Sequence, residues 1–278
     1  MHSARLLLAT PVLCATLAAA YAAEPALPLW EAGVFGGTAV TPAYPGASDR
    51  STRALALPFL IYRGDVLRAD RSGVGARLLA TDRVDFDIGF ALALPARSSD
   101  VPARRGMPDL GTLVEFGPRL KIKLAEPAPH GRLSLELPLR TVIEARGGLR
   151  RQGATSEPRL VYRLQDERQA WHADASLGAV LGNAAIHDYF YGVSPAYATA
   201  QRPAYTAKSG LMLTRFGLGG SYRLHRDWRA FAFLRYDHYA GAANRASPLL
   251  RQNSGTSAGI GLLWTWRRSD SPARGEDR

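Results

Sequence analysis

Residues 83–94 alternate so strictly that one backbone geometry is left open to them. Val84, Phe86, Ile88, Phe90, Leu92 and Leu94 take every second position, and Asp85, Asp87, Gly89, Ala91 and Ala93 fill the places between. Successive side chains of a strand point to opposite faces, so the segment has one apolar face backed by a polar or small one. Two architectures use such strands. In a soluble sandwich the apolar face meets a protein core; in an outer-membrane barrel it meets lipid, and the small and charged face lines the lumen.

The start of the chain helps to separate the two. A short basic stretch at 1–5, an apolar run at 6–19 and the small-x-small site Ala20-Tyr21-Ala22 read as an export signal over 1–22, with the mature chain beginning near Ala23. The apolar run is shorter than the ~20 residues a spanning helix needs. Cys14 follows Leu13 where a lipidated cysteine would follow a small residue, and it leaves with the signal. The mature chain then holds no cysteine, which excludes disulfides and thiolate metal sites and suits an oxidising compartment.

Beyond the signal, no run of apolar residues is long enough for a transmembrane helix. The 27 glycines, 11 tyrosines and 5 tryptophans suit a barrel of alternating strands with aromatic girdles. The formal charge is +11, and of the 35 basic residues only Lys121, Lys123 and Lys208 are lysines. Attraction to lipopolysaccharide phosphates and a plain compositional preference for arginine both account for that excess.

The same alternation recurs along the chain. It predicts strands over 30–40, 53–62, 66–70, 74–79, 84–94, 111–124, 133–139, 159–164, 171–181, 211–224, 228–239 and 256–266. That makes an all-β chain, an antiparallel transmembrane barrel of about twelve strands (ten is the alternative) over 23–266, followed by a charged, disordered tail at 267–278. Pro58 inside the second strand argues for a bulge or an edge position. The loops sort by length: short turns at 63–65, 125–131, 165–169 and 225–227 fall on one side, long connections at 41–52, 95–109, 145–157, 183–209 and 241–254 on the other. Short periplasmic turns and long external loops are the bacterial barrel pattern. The charged alternates Asp85, Asp87, Glu115, Arg119, Lys121, Lys123 and Arg140 are then expected to face the lumen, and Asp85, Asp87, Glu115, Arg119 and Lys121 to pair across neighbouring strands.

Catalytic patterns are scarce. The Gly-x-Gly runs at 73–75, 217–219 and 259–261 open no helix and precede no phosphate-binding lysine, so neither nucleotide nor nucleic acid is an expected partner. His172, Asp174 and Ser176 share a strand face, but His172 and Ser176 stand roughly 13 Å apart along one strand at ~3.3 Å per residue, and a triad needs its histidine in the middle. His187-Asp188 makes a poor metal set, and packing within the aromatic run Tyr189-Phe190-Tyr191 explains it better. The pairs Arg104-Arg105 and Arg150-Arg151 fall on external loops, where they are either solvated or bound to lipopolysaccharide phosphate. No catalytic residue, metal or cofactor is expected.

Two stretches carry a resemblance. Pro42-Ala43-Tyr44-Pro45-Gly46-Ala47-Ser48-Asp49, leading into Leu57-Pro58-Phe59-Leu60-Ile61-Tyr62-Arg63, resembles the opening of the MipA/OmpV family. Tyr191-Gly192-Val193, followed by Pro203-Ala204-Tyr205, resembles that family's second motif. The likeness runs from about Trp30 to Trp266. It departs at the end, where twelve residues, 267–278, follow the aromatic residue that usually closes the last strand. The resemblance implies a non-enzymatic protein of the Gram-negative outer membrane, in contact with lipid and lipopolysaccharide. It implies a scaffold joining a peptidoglycan lytic transglycosylase to a penicillin-binding protein. Tyr44, Pro45, Gly46, Asp49, Tyr191, Gly192 and Val193 are motif positions with structural roles. The charged lumen face motivates a different function, a small-solute pore or small-molecule-binding barrel, and an outer-membrane acyl hydrolase is the third.

Overall fold

The structure, a computed structural model, describes residues 27–63, 67–70, 73–93, 96–166 and 170–273; the stretch 1–22 expected to be an export signal lies outside them. The strands are β1 (Trp30–Pro42), β2 (Arg50–Arg63), β3 (Leu67–Asp70), β4 (Gly73–Ala80), β5 (Val84–Ala93), β6 (Thr112–Ala128), β7 (Gly131–Ala145), β8 (Leu149–Ser156), β9 (Arg159–Gln165), β10 (Trp171–Gly182), β11 (Gly210–His225), β12 (Trp228–His238) and β13 (Ser254–Arg268). All pairings are antiparallel, and β13 returns to β1 to close the sheet. β8 and β9 lie end to end: the last residues of β7 pair with β8 and its first residues with β9. The thirteen segments therefore fill twelve positions around a barrel, and the pairing of β13 with β1 joins the two ends of the sheet.

Period two assigns the faces. Leu60, Leu139, Leu177 and Ile260 point outward with 59–64% of their surface exposed, while Asp87, Arg119 and Glu136 point inward and are buried. The outward face of β5 and β6 stacks Phe90 on Phe116, with ring centres 6.1 Å apart. All five tryptophans stand at the end of the barrel with the short turns. Trp30 pairs in register with Tyr62, Trp171 with Tyr222, and Trp228 with Trp264, whose rings stack at 5.8 Å. Amphipathic rings at one depth form the girdle expected where acyl chains give way to headgroups.

Three features differ from the sequence expectation. Residues 145–157 are not a loop: Gly147 and Gly148 take φ of 60° and 130°, which gives a tight turn and releases β8. That strand, Leu-Arg-Arg-Gln-Gly-Ala-Thr-Ser, is polar on both faces and carries no alternation to read. Residues 183–209 contain a helix, α1 (Ala184–Tyr191), capped by the Asn183 side chain, which accepts from the Ile186 N–H. The segment after Trp266 is not loose throughout: β13 runs on to Arg268, and Pro28 bridges Pro272 while the Ala273 N–H donates to Leu27 at 2.7 Å. Residues 274–278 lie outside the described ones.

The wall is low at one place. β3 pairs with β2 only at Tyr62–Ala69 and Arg63–Arg68. Residues 50–61 of β2 therefore have a partner on the β1 side alone among the described residues. Pro58, which has no N–H to donate, sits in this one-sided stretch.

Candidate functional site: a packed cap over a charged lumen

The buried apolar core lies at the long-loop end. Tyr44 and Ala47 come from the β1–β2 turn, Val101 and Leu110 from the β5–β6 connection, Ile186 and Tyr191 from α1, and Leu249 and Leu250 from the β12–β13 connection. They pack on Leu113, Val142, Met212 and Leu213 at the strand ends. Each fully buried aliphatic side chain contributes roughly 1.5–3 kcal/mol, so the loops are held folded across the mouth as a cap.

Polar groups fix the cap's geometry. Asn244, wholly buried, donates to His187 Nδ1 and to the Lys208 carbonyl at 2.7 Å each, and accepts from the Lys208 N–H at 2.8 Å. His187 Nε2 faces the Gly210 carbonyl at 3.1 Å, so Nε2 carries the proton and Nδ1 accepts. Both ring nitrogens are thus engaged by protein, and burial pushes the imidazole below its usual pKa. The Tyr44 hydroxyl donates to the Leu249 carbonyl at 2.7 Å, and burial raises its pKa to about 12. Gly46 holds φ of 82°, a left-handed turn that a side chain resists, and its carbonyl accepts from the Arg251 N–H at 2.9 Å. The Asp49 carbonyl accepts from the Ala43 N–H at 2.9 Å and closes that turn. Tyr191 is fully buried, Gly192 ends α1 by donating to the Asp188 carbonyl at 2.8 Å, and Val193 bridges Tyr205. The two motif stretches, about 150 residues apart in sequence, thus meet in one cap.

Arg104 corrects a sequence expectation. It is 4% exposed and does not offer itself to surface anions. Its guanidinium lies 5.7 Å from the centre of the Tyr44 ring and donates to the Phe190 and Pro108 carbonyls at 3.2 Å each. Carbonyl acceptors and a ring face replace the water that its guanidinium loses on burial. Beside it lies a cleft of about 640 Å³ whose lining includes Arg146, Arg150, Asp109, Glu144 and Tyr189.

Below the cap the lumen carries a charge lattice. Arg119 grips Asp87 with Nε and Nη2 at 2.9 and 2.8 Å, and Lys121 reaches the same carboxylate at 2.9 Å. Asp85 stands opposite Lys121 in register. Glu115 meets Arg140 at 3.7 Å. Lys123 departs from cross-strand pairing: it binds Glu126, three residues on in its own strand, at 2.6 Å. The centre of the lattice is Glu157, which lies within 3.9 Å of Arg140 and Arg159 and 3.4 Å of Arg215. Arg215 in turn holds Asp237 at 2.7 Å, and Arg159 holds Glu136 at 2.6 Å. Nothing in the alternation points to Glu157, which ends the non-alternating stretch 145–157; its position just before Pro158, between β8 and β9, is what lets it reach three arginines.

His172 does find a serine, though not Ser176. Its Nδ1 lies 2.8 Å from the Ser221 hydroxyl on the adjacent strand, which also accepts from Arg229 at 3.1 Å. The Asp174 carboxylate lies over Gly219, 3.1 Å from where a Cβ would stand.

The family model described as MltA-interacting protein MipA matches residues 34–266. The chain belongs to the MipA family. Comparison with the curated proteins found no match. Among solved structures the MipA-family chain is similar to the NanC porin, at 11% identity and a TM-score of 0.42 over 83% of this chain and 98% of that one. It is also similar to the COG4313 outer membrane channel from Pseudomonas putida F1, at 12% identity and a TM-score of 0.39 over 89% and 98%. A third is outer membrane phospholipase A from Escherichia coli, at 13% identity and a TM-score of 0.34 over 86% and 94%. Family membership together with a closed sheet, an apolar outward face and an aromatic girdle makes this MipA-family chain an outer-membrane β-barrel protein.

Proposed function

We propose that this protein is a non-enzymatic scaffold of the outer membrane that binds a peptidoglycan lytic transglycosylase, and through it a penicillin-binding protein, at the barrel's periplasmic rim. The observation that carries this reading is the match over residues 34–266 to a family described as MltA-interacting. Geometry supports it in two ways. The packed cap and the paired lumen charges suit a non-conducting barrel better than a solute pore. The Ser221 hydroxyl that meets His172 also accepts from Arg229 at 3.1 Å, which ties it into the polar network of the lumen.

Murein enzymes work in the periplasm, so the grip is the short-turn end. It comprises the turns around Asp82, His130 and Arg226 and the paired terminal stretches at 27–29 and 269–273. Stable interfaces bury ~1,200–2,000 Å², more than one such turn offers, so several act together. The test is photocrosslinking in intact envelopes, with the reactive side chain placed at Asp82 or Arg226 on the rim, and at Arg105 or Tyr197 on the cap. A lytic transglycosylase is expected from the rim positions only. Capture from the cap positions alone, or from neither set, refutes the reading.

A further inference from the structure

The lumen has two unlike walls. Around β5–β11 it is charged, but on β12, β13, β1 and β2 the middle of the inward face is apolar, with Phe231, Phe233, Phe35, Leu55, Leu57 and Phe59 joined through consecutive register pairs above Glu31, Arg63 and Arg229 at the short-turn end. Phe35 and Phe231 touch, with ring centres 4.9 Å apart. These rings lie against the sheet instead of projecting from it, because glycines make room. A Cβ on Gly33, Gly259 or Gly261 would stand 2.5 Å from the ring of Phe59, Phe233 or Phe231 respectively. The result is an apolar trough along the inside of the barrel. Leu55 and Leu57 face into it and are 36% and 44% exposed, which is unusual for inward-facing leucines with no bilayer to meet.

Two arginines stand at the trough's upper edge, toward the cap. Arg53 follows Leu55 on the inward face of β2, and Arg235 follows Phe233 on that of β12. Arg119, Arg140, Arg159 and Arg215 each have a carboxylate within 4.0 Å. Among the described residues neither Arg53 nor Arg235 has one: Arg53 donates to Ser51 at 3.0 Å, and Arg235 lies 5.1 Å from the centre of the Phe233 ring. Apolar surface ending in guanidinium groups that no carboxylate contacts, Asp237 and Glu157 reaching Arg235 only at longer range, is complementary to one kind of molecule.

We propose that this trough binds a single-chain amphiphile with an anionic head, carboxylate or phosphate, its chain lying along Phe35, Phe231 and Leu57 and its head held by Arg53 and Arg235. From Phe59 to Arg53 the strand rises about 20 Å, six residues at ~3.3 Å each, a length that suits a long acyl chain. The opposite wall is charged, so a second chain has no apolar surface to lie on. This binding is independent of the scaffold role, which uses the other end of the barrel.

The test is native mass spectrometry of the full chain, purified from the outer membrane, reconstituted in phosphatidylcholine nanodiscs and titrated with palmitate, hexadecyl phosphate or hexadecyltrimethylammonium. Saturable one-to-one adducts are expected with the two anions and not with the cation, and their relative occupancy identifies the preferred head. Arg53→Glu with Arg235→Glu is expected to weaken anion binding at least tenfold and to admit the cation. Leu55→Gln with Leu57→Gln is expected to weaken both anions. Heat-modifiable gel migration checks folding. If the charge-reversed protein does not fold, Arg235→Gln, which gives up the contact with Phe233 and the longer-range attraction of Asp237 and Glu157, must still lower anion occupancy. No saturable anion adduct, or equal occupancy in wild type and the folded variants, overturns the proposal. Rim crosslinking is unaffected by either outcome, so failure here and failure of the scaffold reading are distinguishable.

Discussion

Replacing Asp87 with alanine is the sharpest test of whether the lumen lattice holds the barrel together. Asp87 is 8% exposed and Arg119 6%, and one carboxylate answers both Arg119 and Lys121. Asp87→Ala leaves two cations side by side in a low-dielectric interior. Breaking a buried pair by removing one partner costs about 3–5 kcal/mol. The lower end applies here, because Glu136 stands opposite Lys121 in register and takes up part of the charge. A loss of about 3 kcal/mol is a change of about 150-fold in the unfolding equilibrium, at ~1.4 kcal/mol per tenfold. Urea unfolding in lipid vesicles reads this out through the tryptophans at the rim, with gel migration as a second probe. Adding Arg119→Leu removes one of the two cations and should recover part of the loss. A cost below about 1 kcal/mol, the range of a solvated pair, would mean that lumen water screens the lattice, and a double variant no better than the single would refute the pairing argument.

Phe90, which is 47% exposed to lipid, should tolerate arginine poorly: Phe90→Arg is expected to cost about 2–4 kcal/mol near the bilayer midplane, measured by the same unfolding assay. Gly153 has φ of 138°, and a Cβ there would collide with the Asn183 carboxamide that caps α1. Gly153→Ala should therefore release the helix at a cost of about 2 kcal/mol, combining a lost cap and a strained backbone, seen as faster hydrogen exchange confined to the cap. His187 is held neutral by burial, so the folded cap binds fewer protons than the opened one between its lowered pKa and the ordinary 6.5. Cap stability should fall as pH drops below about 6.5 and level off beneath the folded-state pKa. Amide exchange of α1 at about pH 7.5 and about pH 5 measures this, and His187→Gln should flatten the difference.

The sequence by itself determined which residues face which way. Alternation survives any register, so Phe90 and Asp87 fall on opposite faces by position parity, and Phe90 outward with Asp87 inward follows once the sheet is a membrane barrel. It also showed the sorting of long and short connections and the two family motifs. It could not show partners, because which charge meets which depends on register between strands far apart in the chain. Arg215 and Asp237 lie 22 residues apart, yet Arg159 and Glu136 pair across a different interval of 23, and only the sheet says which neighbours are in reach. Segments without alternation were beyond reading. β8 is polar on both faces, and α1 is an eight-residue run rich in aromatics that no isolated peptide would hold as a helix. Both exist because tertiary packing supplies what local preference lacks: a paired edge for β8, and the buried surface around Ile186 and Tyr191 for α1. The fate of Arg104 was decided the same way. As a sequence element it is one of a basic pair on a loop; in the structure the cap folds over it, the Tyr44 ring and two carbonyls replace water, and a surface charge becomes an internal strut.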